Sequence, residues 1–137
     1  MVLAVLGLLG ATVLLSIPTG QTHAIEQAER LSTHLQHARD EAILGNRAIA
    51  VRVDPTGYRF EQQSRGAWQA LDERPFNARE FEAGVTATFT GREAFARFEF
   101  DVTGGSAPAG MTLVSQQQRV HVTLDDAGEV DLHVAPR

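Results

Sequence analysis

The sequence predicts an α+β fold: one long N-terminal helix packed on an antiparallel β-sheet head, arranged as one sheet or two. Three observations predict it. The front of the chain is apolar and free of charge. A narrow apolar stripe at helical spacing follows. After Gly45 the pattern switches to alternating runs punctuated by Gly, Pro and Asp. At 137 residues the chain suits one domain with a modest core.

Residues 1–17 read MVLAVLGLLGATVLLSI, and no charged residue occurs before Glu26. As a helix this run would be about 25 Å long, a little short of the roughly 30 Å hydrocarbon core of a bilayer. A core helix of a soluble domain would carry a polar stripe, and this one carries none. A cleaved signal peptide would need a basic start and a small-residue cleavage site, and neither is well formed. The expectation is therefore a membrane-anchoring helix whose natural start lies upstream of Met1. Residues 1–22 are assigned to this apolar segment and residues 23–137 to a polar head. Pro18 either kinks one continuous helix or separates two.

Residues 24–44 read AIEQAERLSTHLQHARDEAIL. Ala28, Leu31, Leu35, Ala38 and Ala42 recur at alternating spacings of three and four, which makes one apolar stripe on an amphipathic helix. Glu26 and Arg30 stand four apart in the favourable order. Gly45 and Asn46 close the helix with residues that tolerate a left-handed backbone, giving a head helix over 24–45.

The strands follow in order. Residues 48–54 and 58–61 flank Pro55-Thr56-Gly57 as a hairpin. Ser64-Arg65-Gly66 turns into a short strand with Trp68 and Leu71. Further alternating runs are 85–89 and 97–102. Met111 to Val114 come after the glycine-rich loop 103–110, read as a surface loop. In the last hairpin, Val120, Val122 and Leu124 alternate on one strand and Val130, Leu132 and Val134 on the other. Asp125-Asp126-Ala127-Gly128 joins them as a type I turn with a glycine bulge. That turn pairs Leu124 with Val130, Val122 with Leu132 and Val120 with Val134, so all six share one face.

Candidate chemistry is sparse. The same register places His121 opposite His133 with Asp131 nearby, but no third metal ligand is fixed by spacing, and two exposed histidines are the favoured reading. His34 and His37, three apart, read as part of a solvated helix face. Asp125 and Asp126 are explained by the turn and lack the further oxygen ligands of a calcium loop. Arg47, Arg52 and Arg59 read as part of a mixed, solvated surface with Glu41, Asp54 and Glu61. Trp68 is an interface candidate, read more simply as a core residue. The chain has no Cys, no Gly-x-Ser-x-Gly and no His-Glu-x-x-His, and without Lys it has no phosphate loop. No enzyme activity, metal or cofactor is expected. Twelve arginines against 17 acidic residues leave a net charge of −5, which argues against nucleic-acid binding.

The order of these elements resembles the type IV pilin-like proteins and, within them, the minor pseudopilin H family of the type II secretion system (general secretion pathway protein H). The apolar segment with Gly7 and Pro18 resembles the pilin N-terminal helix. Residues 38–46, ARDEAILGN, look like the family's helix end. Residues 51–60, VRVDPTGYRF, and then 68–71, WQAL, resemble its first hairpin and the following Trp strand. Residues 126–130, DAGEV, resemble its last turn.

The family's basic leader, prepilin-peptidase site and Glu at the fifth mature position have no counterpart here. The resemblance therefore implies a truncated or misassigned start, and leader cleavage and N-terminal methylation carry over to no residue. It further implies a single-pass protein of the bacterial inner membrane with a periplasmic head. Its partners would be other minor pseudopilins, the major pseudopilin, the secretion machinery and membrane lipid. Leu3, Leu6, Gly7, Leu9, Gly10, Val13, Leu14, Ile17 and Pro18 would serve the membrane and helix packing. Ala28, Leu31, Leu35, Ala38 and Ala42 would dock the stalk on the sheet. The alternatives are a minor pilin of a type IV pilus, serving pilus assembly or DNA uptake, and a membrane-anchored periplasmic binding domain.

Overall fold

The computed structural model describes residues 19–116 and 118–136. The membrane and helix-packing residues expected between Leu3 and Pro18 lie outside them. Among the described residues one helix, α1 (Thr19–Leu44), is followed by nine strands: β1 (Ile49–Asp54), β2 (Gly57–Ser64), β3 (Ala67–Leu71), β4 (Arg79–Glu80), β5 (Thr86–Thr88), β6 (Ala96–Phe100), β7 (Ala109–Val114), β8 (Gln118–Leu124) and β9 (Val130–Pro136). Among the described residues no helix is long and apolar enough to cross a membrane.

The strands form two antiparallel sheets. In the first the order is β3-β2-β1-β6, with β4 sharing the outer edge of β2; in the second it is β5-β7-β8-β9. The helix lies across both, touching β1 and β6 of the first sheet and β7, β8 and β9 of the second. Alternation explains the core: Ile49, Val51 and Val53 of β1 point inward with Tyr58 and Phe60 of β2 and Phe98 and Phe100 of β6. From the second sheet come Ala87, Met111, Leu113, Val120, Val122 and Leu124. Ala24, Ala28, Leu31, Leu35, Ala38 and Ala42 of α1 fill the space between, each fully buried.

The helix ends in a Schellman motif. Asn46 takes the left-handed conformation (φ 51°), and the Arg47 amide reaches back to the Ala42 carbonyl at 3.3 Å. The stop is that expected from Gly45-Asn46, with Asn46 rather than Gly45 in the left-handed position. At the other end α1 starts at Thr19, earlier than the expected start at Ala24.

Turn chemistry sets the hairpins. Asp54 Oδ1 accepts from the Thr56 and Gly57 amides, both at 2.9 Å, and closes a two-residue turn. Gly57 is required by contact: a Cβ there would collide with the Arg79 carbonyl oxygen on β4. The last hairpin has the expected register, Leu124 with Val130, Val122 with Leu132 and Val120 with Val134. Gly128 at φ 81° and the Asp125 amide to Glu129 carbonyl bond at 3.0 Å make the bulged turn. The shared apolar face is covered unevenly. Val120, Val122 and Leu124 are buried, but Val134 on edge strand β9 is 45% exposed.

Candidate functional site

Four groupings of side chains could carry function, and each is built from the elements above. The first lies where the middle of α1 passes β2 and β4. His34 sits one residue before Leu35 on the flank of the stripe, and the helix turns it inward. It is 8% exposed, and its Nδ1 lies 2.7 Å from the Tyr58 hydroxyl. With a neutral imidazole the hydroxyl donates and the ring nitrogen accepts. Phe60 meets the imidazole edge-on. Burial lowers the His34 pKa from 6.5 to about 4, helped by the charges of Arg79, His37 and Arg30. Burial likewise pushes the Tyr58 hydroxyl up to about 12. His34 is thus a buried polar residue and not part of a solvated face; His37 is the exposed member of the pair. The signal available in the sequence was the adjacency of His34 to Leu35 and the in-facing parity of Tyr58 with Phe60.

Beside this pair opens a cleft of about 480 Å³ lined by Glu26, Glu29, Arg30, Thr33, His34 and Arg79.

The second grouping joins the end of α1 to two loops. Arg39 Nε donates to the Gly104 carbonyl at 3.1 Å, and Gly104 packs under the Ile43 side chain. A Cβ on Gly128 would collide with the Gly104 carbonyl oxygen, so the β8–β9 turn rests directly on the 101–107 loop. The loop's own order comes from Asp101, whose Oδ1 accepts from the Thr103 and Gly105 amides and from the Thr103 hydroxyl. These bonds hold the Asp101 carboxyl below its usual pKa. The segment is a surface loop, as expected, with Thr103, Ala107 and Pro108 exposed, and it is pinned at the buried Gly104.

The third covers the outer face of the first sheet. The register aligns Arg59, Arg52 and Arg97 in one row across β2, β1 and β6. Arg97 spans the fully buried Ala50, pairing with Glu61 and Glu99 and laying its guanidinium 4.6 Å from the Trp68 ring centre. Arg52 stacks on Phe95 at 4.1 Å. Trp68 therefore lies outside the core, part-exposed and held by a cation–π contact. The mixed character expected for Arg47 is present as its 2.8 Å ion pair with Glu41.

The fourth is on the outer face of the second sheet. His121 and His133 face each other as the register requires, their rings nearly parallel with centres 6.1 Å apart. His121 Nδ1 is engaged by the Thr112 hydroxyl at 2.8 Å. Among the described residues no three His, Asp or Glu side chains converge in a way that could hold a metal. Asp125 Oδ1 accepts from the Ala127 and Glu129 amides at 2.9 Å each, so that carboxylate serves the turn.

Two of these groupings set a hydroxyl against an imidazole, Tyr58 with His34 and Thr112 with His121, and the others are built from turn, ion-pair and cation–π contacts. A family model described as "Type II transport protein GspH" matches residues 27–128, from the first turns of the stripe through the last hairpin turn. The chain belongs to the GspH family. No curated protein sequence matches it.

The fold is that of solved pilin-like heads. The minor pseudopilin EpsH from the type 2 secretion system of Vibrio cholerae aligns with a TM-score of 0.66 at 20% identity, over 81% of this chain and 96% of that one. The type IV minor pilin FimU of Pseudomonas aeruginosa aligns with a TM-score of 0.64 at 20% identity, over 84% and 91%. Within this GspH-family head, the five stripe residues Ala28, Leu31, Leu35, Ala38 and Ala42 all lie within the matched span.

Proposed function

We propose that this GspH-family protein is a minor pseudopilin of the type II secretion system, a structural subunit at or near the tip of the pseudopilus. Its role is assembly and not catalysis, in support of the export of folded proteins across the outer membrane. The observation that carries the reading is the family match across residues 27–128, with the likeness to EpsH over nearly all of that chain in support.

On this reading residues 1–17 hold the protein in the inner membrane with the head in the periplasm. They then pack against the equivalent helices of other pseudopilins, where Gly7 and Gly10 permit close approach. The stripe residues Leu31, Leu35 and Ala38 fix the head on that helix.

The test is deletion of the gene in its own host, followed by assay of exported enzymes in the medium. Secretion should fall, and wild-type protein supplied in trans should restore it. L6R or L9R should fail to restore it, because a charge in an apolar helix costs several kcal/mol at bilayer depth, while the head unfolds as in wild type. A deletion strain that secretes normally overturns the proposal. The likeness to FimU favours a second reading, a minor pilin of a type IV pilus; loss of surface pili with secretion intact would select it.

A further inference from the structure

The cleft between α1 and β4 contains two arginines that are in no ion pair among the described residues. Arg30 comes from the helix and Arg79 from the facing strand. Among the described residues the ion pairs are His23–Glu82, Arg47–Glu41, Arg97–Glu61 and Arg97–Glu99; neither Arg30 nor Arg79 takes part in one. Arg79 Nε is moreover buried without a hydrogen-bond partner. A buried donor left unpaired is costly. A guanidinium presents its donors as a planar fork whose best match is a carboxylate.

The remaining lining narrows the occupant. Glu29, next to Arg30 on α1, and Glu26, one turn before it, border the same cleft, with Thr33 and His34 on the following turn. A small anion or an anionic membrane surface would meet two carboxylates as well as two guanidiniums. A polypeptide carrying both signs matches this mixed lining, its acid on Arg30 and Arg79 and its donor groups toward Glu26 and Glu29.

We propose that this cleft is a docking site for an acidic side chain of a neighbouring pilin-like subunit, gripped between Arg30 and Arg79. The inference rests on the pseudopilin reading above.

The chain contains no lysine, so R79K places a single side-chain amine in the cleft. The full-length variant is expressed in its host with the other pseudopilin-type subunits, and membranes are treated with a zero-length carbodiimide that joins amines to carboxylates in direct contact. The expected product is an amide between the introduced amine and an Asp or Glu of another pilin-like subunit, mapped by mass spectrometry. R65K, on the exposed β2–β3 turn, should give none. In the same cells R30A/R79A should lower recovery of that subunit with this protein by about tenfold, the scale of an interface anchored by arginine, at an unchanged unfolding temperature.

Coupling only to Glu26 or Glu29 of the same chain would overturn the proposal. So would a loss of binding to phosphatidylglycerol vesicles in R79A with no subunit adduct, which would make the site a lipid-headgroup site. No coupling at all, in a strain whose secretion still depends on this gene, would overturn the cleft while leaving the pseudopilin reading standing. Normal secretion in the deletion strain together with a subunit adduct would do the reverse.

Discussion

The burial of His34 makes the head's stability depend on pH in a calculable way. The imidazole titrates near 6.5 in an unfolded chain and near 4 in the folded protein. Between those values the unfolded chain takes up a proton that the native state refuses, so stability falls as pH falls. The contribution is fully present above about pH 6.5 and is lost progressively down to about pH 4. With those two pKa values the loss between pH 7 and pH 5 is about 2 kcal/mol, and the limiting loss at low pH is about 3 kcal/mol. The perturbation is H34Q, which removes the titration but keeps a side-chain acceptor within reach of the Tyr58 hydroxyl.

Urea unfolding of both proteins at pH 7, 6 and 5 is the assay. Other groups titrate in this range in both proteins, so the informative quantity is the difference between them. Wild type should lose about 2 kcal/mol more than H34Q over the interval, and the imidazole proton shifts of His34 should stay unprotonated in form at pH 5. Equal pH dependence in the two proteins, or a His34 titration near 6.5, would refute the reasoning.

Three further outcomes follow from the packing. L35A should cost roughly 3 kcal/mol in urea unfolding, because Leu35 is fully buried between α1 and the sheets; a loss under about 1 kcal/mol would mean that the helix is not held there. G128A should destabilise by about 2 kcal/mol or more, since it combines a left-handed backbone with a collision at the Gly104 carbonyl, whereas G66A has open space and should cost about 1 kcal/mol, both read as shifts in thermal midpoint. W68A should cost only about 1 kcal/mol, the worth of a part-exposed ring and one cation–π contact, because Trp68 sits outside the core; a core-like loss near 4 kcal/mol would contradict that placement.

What could be read from the sequence was whatever local chemistry and periodicity determine together. The last hairpin is the clearest case. Gly128 specifies a bulged turn, the bulge specifies a register, and that register puts Val120, Val122 and Leu124 on one face with Val130, Leu132 and Val134. The helix stop at Gly45-Asn46 was legible for the same reason. What escaped depends on partners distant in sequence. His34 lies at the edge of a stripe, where periodicity alone does not separate inside from outside, and it is drawn inside by Tyr58, 24 residues away. The 101–107 segment has a loop's composition, yet Arg39 and Gly128 pin it from two other elements. Size and apolarity suggest a core position for Trp68, while strand parity sets it outward beside Arg97. The cleft had no sequence signal at all, since Arg30 and Arg79 meet only through the fold.

The composition of the helix's inner face gives these pieces a common logic. Four of its six fully buried stripe positions are alanine, at Ala24, Ala28, Ala38 and Ala42, and only Leu31 and Leu35 carry bulk. Small residues let α1 lie close to both sheets but bury little apolar area each, so the hydrophobic grip is concentrated in the two central turns. The ends are held by polar and backbone contacts instead: His23 against Glu82 when the imidazole is protonated, and Arg39 on Gly104 beside the Schellman stop. Such contacts near the surface contribute little individually. A helix gripped at its centre and lightly tied at both ends can transmit a pull along its axis while its ends adjust to neighbours. The Arg30–Arg79 cleft lies beside the two turns where that hydrophobic grip is concentrated.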